Sequence, residues 1–172
     1  MNLPKYSKGF TLIELLVSMS IIAIISGGIV PTFTSYVKNQ NLKQAQEQLK
    51  SDLRTVQNRA LTGALSNYTF DNGSLAQYWG VSFPSGSGSS MTVFISNSDS
   101  GGCPPDPSVQ QSRINLSSNV LYYGDGGCMF FSIKNGDVSG SLDSPINLKL
   151  NPTDESLDVN FESSGLIWTP GN

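Results

Sequence analysis

"KGFTLIELLVSMSIIAIISGGIVP", running from Lys8 to Pro31, is the stretch on which the fold turns. From Phe10 to Val30 it is apolar and long enough for a bilayer, which a helix crosses in ~20 residues. Yet it holds a carboxylate, Glu14, four residues after the apolar part begins. An acidic side chain at the centre of an inserting helix costs ~2.5–3.5 kcal/mol, and less near an end. Such a group calls for a partner. Lys5 and Lys8 form a basic flank that should stay cytoplasmic, which places the C-terminal bulk outside.

The helical pattern continues past this stretch. Leu42, Ala45, Leu49, Leu53, Val56 and Ala60 recur at three- and four-residue spacing and describe one apolar stripe. The Lys, Gln, Asn, Glu and Arg residues around it suit a solvated face. A helix is predicted from about Phe10 to Leu61, ending near Gly63, with its stripe packed on the domain that follows. Beyond Gly63 the period switches. "QYWGVSF" (77–83), "MTVFIS" (91–96), "NVLYYG" (119–124) and "CMFFSIKNGDV" (128–138) have the character of short strands. "INLKL" (146–150), "LDVNF" (157–161) and "GLIW" (165–168) extend the series, and Asn135-Gly136-Asp137 is a turn signal. "PSGSGSS" (84–90) and "SNSDSGGCPPDP" (96–107) are loops by composition. The expected fold class is α+β. A long N-terminal α-helix, one half membrane-spanning and the other amphipathic, packs against a C-terminal antiparallel β-sheet domain of six to eight strands.

Composition narrows the function. Charged residues make up 13% of the 172-residue chain, well below the roughly 25% usual for soluble domains. Residues 38–59 carry Lys38, Lys43, Lys50, Arg54 and Arg59 against Glu47 and Asp52, a net of +3. Residues 61–172 carry Arg113, Lys134 and Lys149 against ten acids, a net of −7. An acidic distal region argues against direct nucleic-acid binding, which needs a basic footprint. Histidine is absent, which removes Ser-His-Asp and Cys-His nucleophile systems and His-ligated metals together. Asp154, Glu155 and Asp158 read as an acidic turn before a strand, so no catalytic, metal or cofactor residues are expected. Tyr78, Trp79, Tyr122 and Tyr123 could line a binding surface, but half-buried strand aromatics explain them more simply. Cys103 and Cys128 could oxidise to one disulfide in an exported domain, or remain two separate buried thiols.

Three readings compete for the first 37 residues. A secretory signal would be cut after small residues such as Ser26-Gly27-Gly28, but the apolar run is long and passes straight into a helical pattern. A plain signal anchor fits the length and leaves Glu14 without a role. The third rests on "KGFTLIELLVSMSIIAII", which resembles the class III signal of the type IV pilin superfamily, including the pseudopilins of type II secretion. The resemblance implies a cut between Gly9 and Phe10 by a prepilin peptidase, and N-methylation of Phe10. It also places Glu14 at the family's assembly glutamate. Pairing of Glu14 with the Phe10 amine of a neighbouring copy would relieve a lone buried charge and fix one register. Gly27, Gly28 and Pro31 form a helix weak point, because Pro lacks an N–H and clashes with the carbonyl four residues back. It is either a tolerated kink or a segment that unwinds on entry into a filament.

The distal region is similar to the H-type pseudopilins and related minor pilins through "LKSDLRTVQNRALTGA" (49–64), "YWGVSF", "MTVFIS" and "VNFESSGLIW" (159–168). The loop with Cys103, Pro104, Pro105 and Pro107 departs from that pattern. The implied organisation is a leader at 1–9, a hydrophobic transmembrane and assembly helix at 10–37, its amphipathic continuation at 38–63, and a β-rich domain at 64–172. The implied function is non-enzymatic. A subunit is processed in the inner membrane and assembled as a minor component of a type IV pilus or type II secretion pseudopilus. Its implied partners are other pilin or pseudopilin subunits, the peptidase, the inner-membrane assembly platform, and the lipid bilayer before assembly. The implied destination is a periplasmic or surface filament. The rival is a signal-anchored binding protein that never polymerises.

Overall fold

The computed structural model describes residues 9–100, 103, 109–117, 119–151 and 155–170, the side chains of 28–34 excepted. The chain divides into two compact units, Met1–Lys38 and Asn39–Asn172. Helical residues run over α1, Leu12–Leu61, and supply both units.

In the second unit, α1 ends in a Schellman turn. Gly63 takes φ +67°, the left-handed region that favours glycine. The Ala64 N–H donates to the Arg59 carbonyl, and the Gly63 N–H to that of Ala60. Just beyond, the Trp79 Nε1–H donates to the Ala64 carbonyl at 2.8 Å, fixing the chain's entry into the first strand. The described strands are β1 (Tyr78–Phe83), β2 (Gly86–Gly88), β3 (Ser90–Ser96), β4 (Gln110–Asn115) and β5 (Val120–Gly124). They continue with β6 (Gly127–Ser132), β7 (Val138–Gly140), β8 (Ile146–Leu150), β9 (Ser156–Phe161) and β10 (Ile167–Trp168). They form two antiparallel five-stranded sheets, ordered β4-β3-β1-β6-β7 and β10-β9-β8-β5-β2.

Alternation along the strands sends one face of each sheet into a shared core. Val81, Met129, Tyr122, Leu148 and Val159 meet the helix stripe there, and Leu42, Ala45, Leu49, Leu53, Val56 and Ala60 are all buried. The opposite face of the first sheet holds a smaller cluster of Phe94, Phe130 and Cys128. Gly80 lies between Phe94 and Phe130 in register, and a Cβ there would land on the Phe94 ring. Cys128 is joined to Cys103 by a disulfide across 25 residues, which ties the β3–β4 loop to this face.

The polar side of the helix is not simply solvated. Gln46, 6% exposed, donates from Nε2 to the Asp158 carbonyl at 2.7 Å. The Arg54 guanidinium donates to the Ile167 carbonyl at 2.8 Å. Gln57 Nε2 donates to the carbonyls of Gly165 and Gly136 at 2.9 and 3.1 Å. Lys50 and Glu47 pair at 2.7 Å, and each bonds to the Thr169 hydroxyl. In a row at spacing four, four and three, Gln46, Arg54 and Gln57 thus donate to carbonyls and Lys50 to the Thr169 hydroxyl.

The expected fold class needs correction. The protein is mostly β, with two sheets in place of one, and no helix among the described residues is long and apolar enough to cross a membrane. With side chains described, the helical residues form two stretches, 12–27 and 35–61. The first is apolar but short, and the second is longer but amphipathic. The strands that escaped the sequence are those without an apolar pattern. β2 is Gly-Ser-Gly, β4 is Gln-Gln-Ser-Arg-Ile-Asn, and β7 falls at the end of a run read as one strand before the Asn135-Gly136 turn.

Gly80→Ala should lower the stability of the full chain in detergent by ~1–3 kcal/mol, the usual cost of overpacking a tight core. Phe94 is 2% exposed and held edge-on by Phe130, so its ring has no free space to enter. Denaturant unfolding at the parent's midpoint would contradict this packing.

Candidate functional site

Gly9, Phe10 and Thr11 precede the helix as non-helical backbone, and Gly9 and Phe10 are exposed. Among the described residues nothing lies within 4 Å of a Cβ built on Gly9, and its φ is not positive. Neither packing nor backbone conformation within this structure therefore demands glycine there.

Thr11 caps the helix. Its Oγ1 accepts the Glu14 N–H at 3.3 Å, and the Thr11 carbonyl accepts the Leu15 N–H at 3.3 Å. Glu14 thus sits in the first turn, where unpaired N–H groups and the helix dipole favour an anion. Thr11-Leu12-Ile13-Glu14 has the T-x-x-E pattern of a capping box, a signal present in the sequence and separate from any assembly role. Among the described residues no group pairs with the Glu14 carboxylate. Its carbonyl accepts the Ser18 hydroxyl at 2.7 Å, and Ser20 does the same to Leu16 at 2.8 Å, so two hydroxyls inside the apolar stretch are satisfied locally. Phe10, Leu12, Ile13, Leu16 and Ile24 stand exposed, an apolar surface unfit for water.

The other singled-out residues fall elsewhere. Gly27 is helical and exposed; Gly28 and Pro31 lie in the helical span, with their side chains outside the described residues. Residues 1–8 of the expected leader 1–9, and Asp154, also lie outside the described residues. Asp158 is used structurally, accepting Asn147 Nδ2 at 2.8 Å. Trp79 and Tyr122 are buried, and Tyr123 is exposed with Lys149 Nζ over its ring at 4.9 Å.

Residues 4–30 match the prokaryotic N-terminal methylation motif. The chain carries the type IV pilin and pseudopilin signal. That motif suggests a pilin-like protein processed as a prepilin. It implies cleavage by a prepilin peptidase, assembly with other pilin subunits, and a membrane-anchored stage before a periplasmic or surface filament. No curated protein and no solved structure matches the chain.

The second unit has one further feature built from charged groups. A cleft of about 430 Å³ opens between α1 and the edge strand β4, floored by Val93 and Ile114. Asp52 and Arg59 line it from the helix, and Arg113 and Asn115 from the strand. Arg59 also lies 5.6 Å over the Trp79 ring. Burial pushes the Asp52 carboxyl upward from its ordinary value. The folded chain then holds that proton more tightly than the unfolded chain does. The resulting stability is complete at low pH and is lost as pH rises through the raised value. Asp52→Asn, which cannot ionise, should gain on the parent as pH climbs from about 3 to about 7. Urea midpoints at the two pH values check this, and a gap that does not widen contradicts it.

Proposed function

We propose that this chain is a minor subunit of a type IV pilus or type II secretion pseudopilus, matured by cutting between Gly9 and Phe10. Residues 1–9 are the leader, 10–37 the apolar anchoring and assembly segment, 38–63 its amphipathic continuation, and 64–172 the β-rich domain. The reading is carried by the match over residues 4–30, with its cut site exposed and ahead of a capped helix start. Cutting there leaves the apolar stretch on the mature chain and creates an amine at Phe10. That amine lies four residues before the Glu14 carboxylate. In a stack of copies staggered along the helix axis, Glu14 of one meets the Phe10 amine of the next, which offsets the cost of an unpaired charge away from water. Gly27, Gly28 and Pro31 supply a stretch of low helix propensity for bending or unwinding in the filament.

The Thr11 cap sharpens the test of Glu14. Glu14→Ala removes both the charge and the Glu of the T-x-x-E pattern, whereas Glu14→Gln removes the charge and keeps a residue that pattern allows. If charge pairing drives assembly, both variants are cut and N-methylated at Phe10 yet enter filaments at least ~100-fold less than the parent, as loss of a buried ion-pair partner predicts. Sheared-filament yield and mass spectrometry of the amino terminus provide the readouts. Glu14→Gln assembling at the parental level would overturn the pairing. An intact Met1, or a start at Ile29, would overturn the filament reading in favour of an anchored or secreted binding protein.

A further inference from the structure

We propose that the cleft between α1 and β4 takes an extended, acidic segment of a different pilin subunit, added as a strand along the open edge of β4. The proposal rests on the filament reading above and names one contact of the distal unit. The two flanks of α1 treat the two sheets differently. On one flank Gln46, Arg54 and Gln57 donate to carbonyls of the second sheet or beside it. On the other, Gln48, Asp52, Thr55 and Arg59 line the cleft, and among the described residues none of them bonds to β4. The Thr55 hydroxyl turns back to the Ser51 carbonyl instead. β4 is also the longest edge strand, with six residues against three in β2 and β7 and two in β10. Short edges resist pairing with other chains, and this one is not short.

The ladder shows which backbone groups stand open. The Leu116 N–H donates to the Ser89 carbonyl at 2.7 Å, and the same register sets Arg113 against Thr92 and Asn115 against Ser90. Bonded and non-bonded pairs alternate in an antiparallel ladder, so the N–H and C=O groups of Arg113 and Asn115 point away from β3. Both residues line the cleft, and among the described residues those groups have no partner. The shift in register between Val93 and Phe94 confines an added strand to Ser112–Asn115. Val56, Val93 and Ile114 offer the occupant's alternate side chains an apolar strip. Past Gln48 a further recess of about 160 Å³, bordered by Asn41 and Asn119, leaves room for the segment to continue. Charge selects the occupant. Arg59 and Arg113 are exposed, and neither forms an ion pair among the described residues. Asp52 is one carboxylate against two guanidiniums, and burial already favours its protonated form. A segment that brings its own carboxylate restores the balance, while main-chain pairing supplies the affinity. An edge that took the same chain would repeat along an axis, which does not suit a minor subunit.

The test uses the full chain co-expressed with its native assembly machinery, with the photo-crosslinker p-benzoylphenylalanine in place of Gln48. Illumination of filaments should give an adduct with another pilin subunit, and the coupled peptide should carry Asp or Glu. Asn115→Pro removes an outward N–H and no bond to β3, a position where an edge strand tolerates proline. Its urea midpoint should stay at the parent's while the adduct falls about tenfold, the scale of one lost hydrogen bond. Arg113→Glu leaves the backbone alone and should lower the adduct about fivefold, the scale of one exposed ion pair lost. Filaments that hold this chain yet give no adduct, an adduct with a second copy only, or an adduct that survives both variants overturn the docking and leave the filament reading intact. A parent with unmodified Phe10 and no filaments overturns both.

Discussion

Gln46, Arg54 and Gln57 of one helix donate to carbonyls at the open edge of the second sheet, and the rest of the distal unit depends on that seam. A sheet edge left bare invites pairing with other chains, and a buried carbonyl without a donor costs about 1–3 kcal/mol. Here the β9–β10 edge is short, and β10 covers only the end of β9 in register, at Phe161 and Asn160. The Asp158 carbonyl lies beyond that cover and is met by Gln46. The apolar stripe beside this row fills the core between the sheets, so one helix supplies both the seal and part of the packing.

This arrangement bears on what the chain can do as a subunit. The helix segment from Asn39 onward is part of the β unit rather than a tether, because its side chains complete a sheet and a core. The apolar residues from Phe10 to Ile25 have no such role within their own unit and stand exposed. The Gly9–Phe10 bond precedes that segment, so the proposed cut there would change the charge at its tip and spare the apolar residues behind it.

Much of this was legible in the sequence, and the losses have physical causes. The stripe from Leu42 to Ala60 predicted the buried face residue by residue, because helical spacing and apolar character are both local signals. The end near Gly63 was visible because a left-handed cap favours glycine. The seam was not legible. Gln46, Lys50, Arg54 and Gln57 read as a solvated face, since polarity alone does not distinguish a side chain facing water from one facing carbonyls. The division of the strands into two sheets was not legible, because pairing between distant strands decides it, and two strands, one in each sheet, were missed outright. Strands such as Gln110–Asn115 and Gly86–Gly88 are held by backbone pairing with neighbours distant in sequence, with no apolar alternation to announce them. The Thr11 cap was present as a T-x-x-E pattern, hidden by the stronger signal of the glutamate itself.

Hydrogen exchange on the full chain in detergent tests the seam most directly. If the helix is an integral part of the β unit, backbone amides from Leu49 to Ala60 exchange only through global unfolding, with the same free energy as those of β1 and β6. Exchange of that helix at a free energy several kcal/mol lower, while β1 and β6 stay protected, would show a helix that peels away from an independently stable β unit, and would contradict the account.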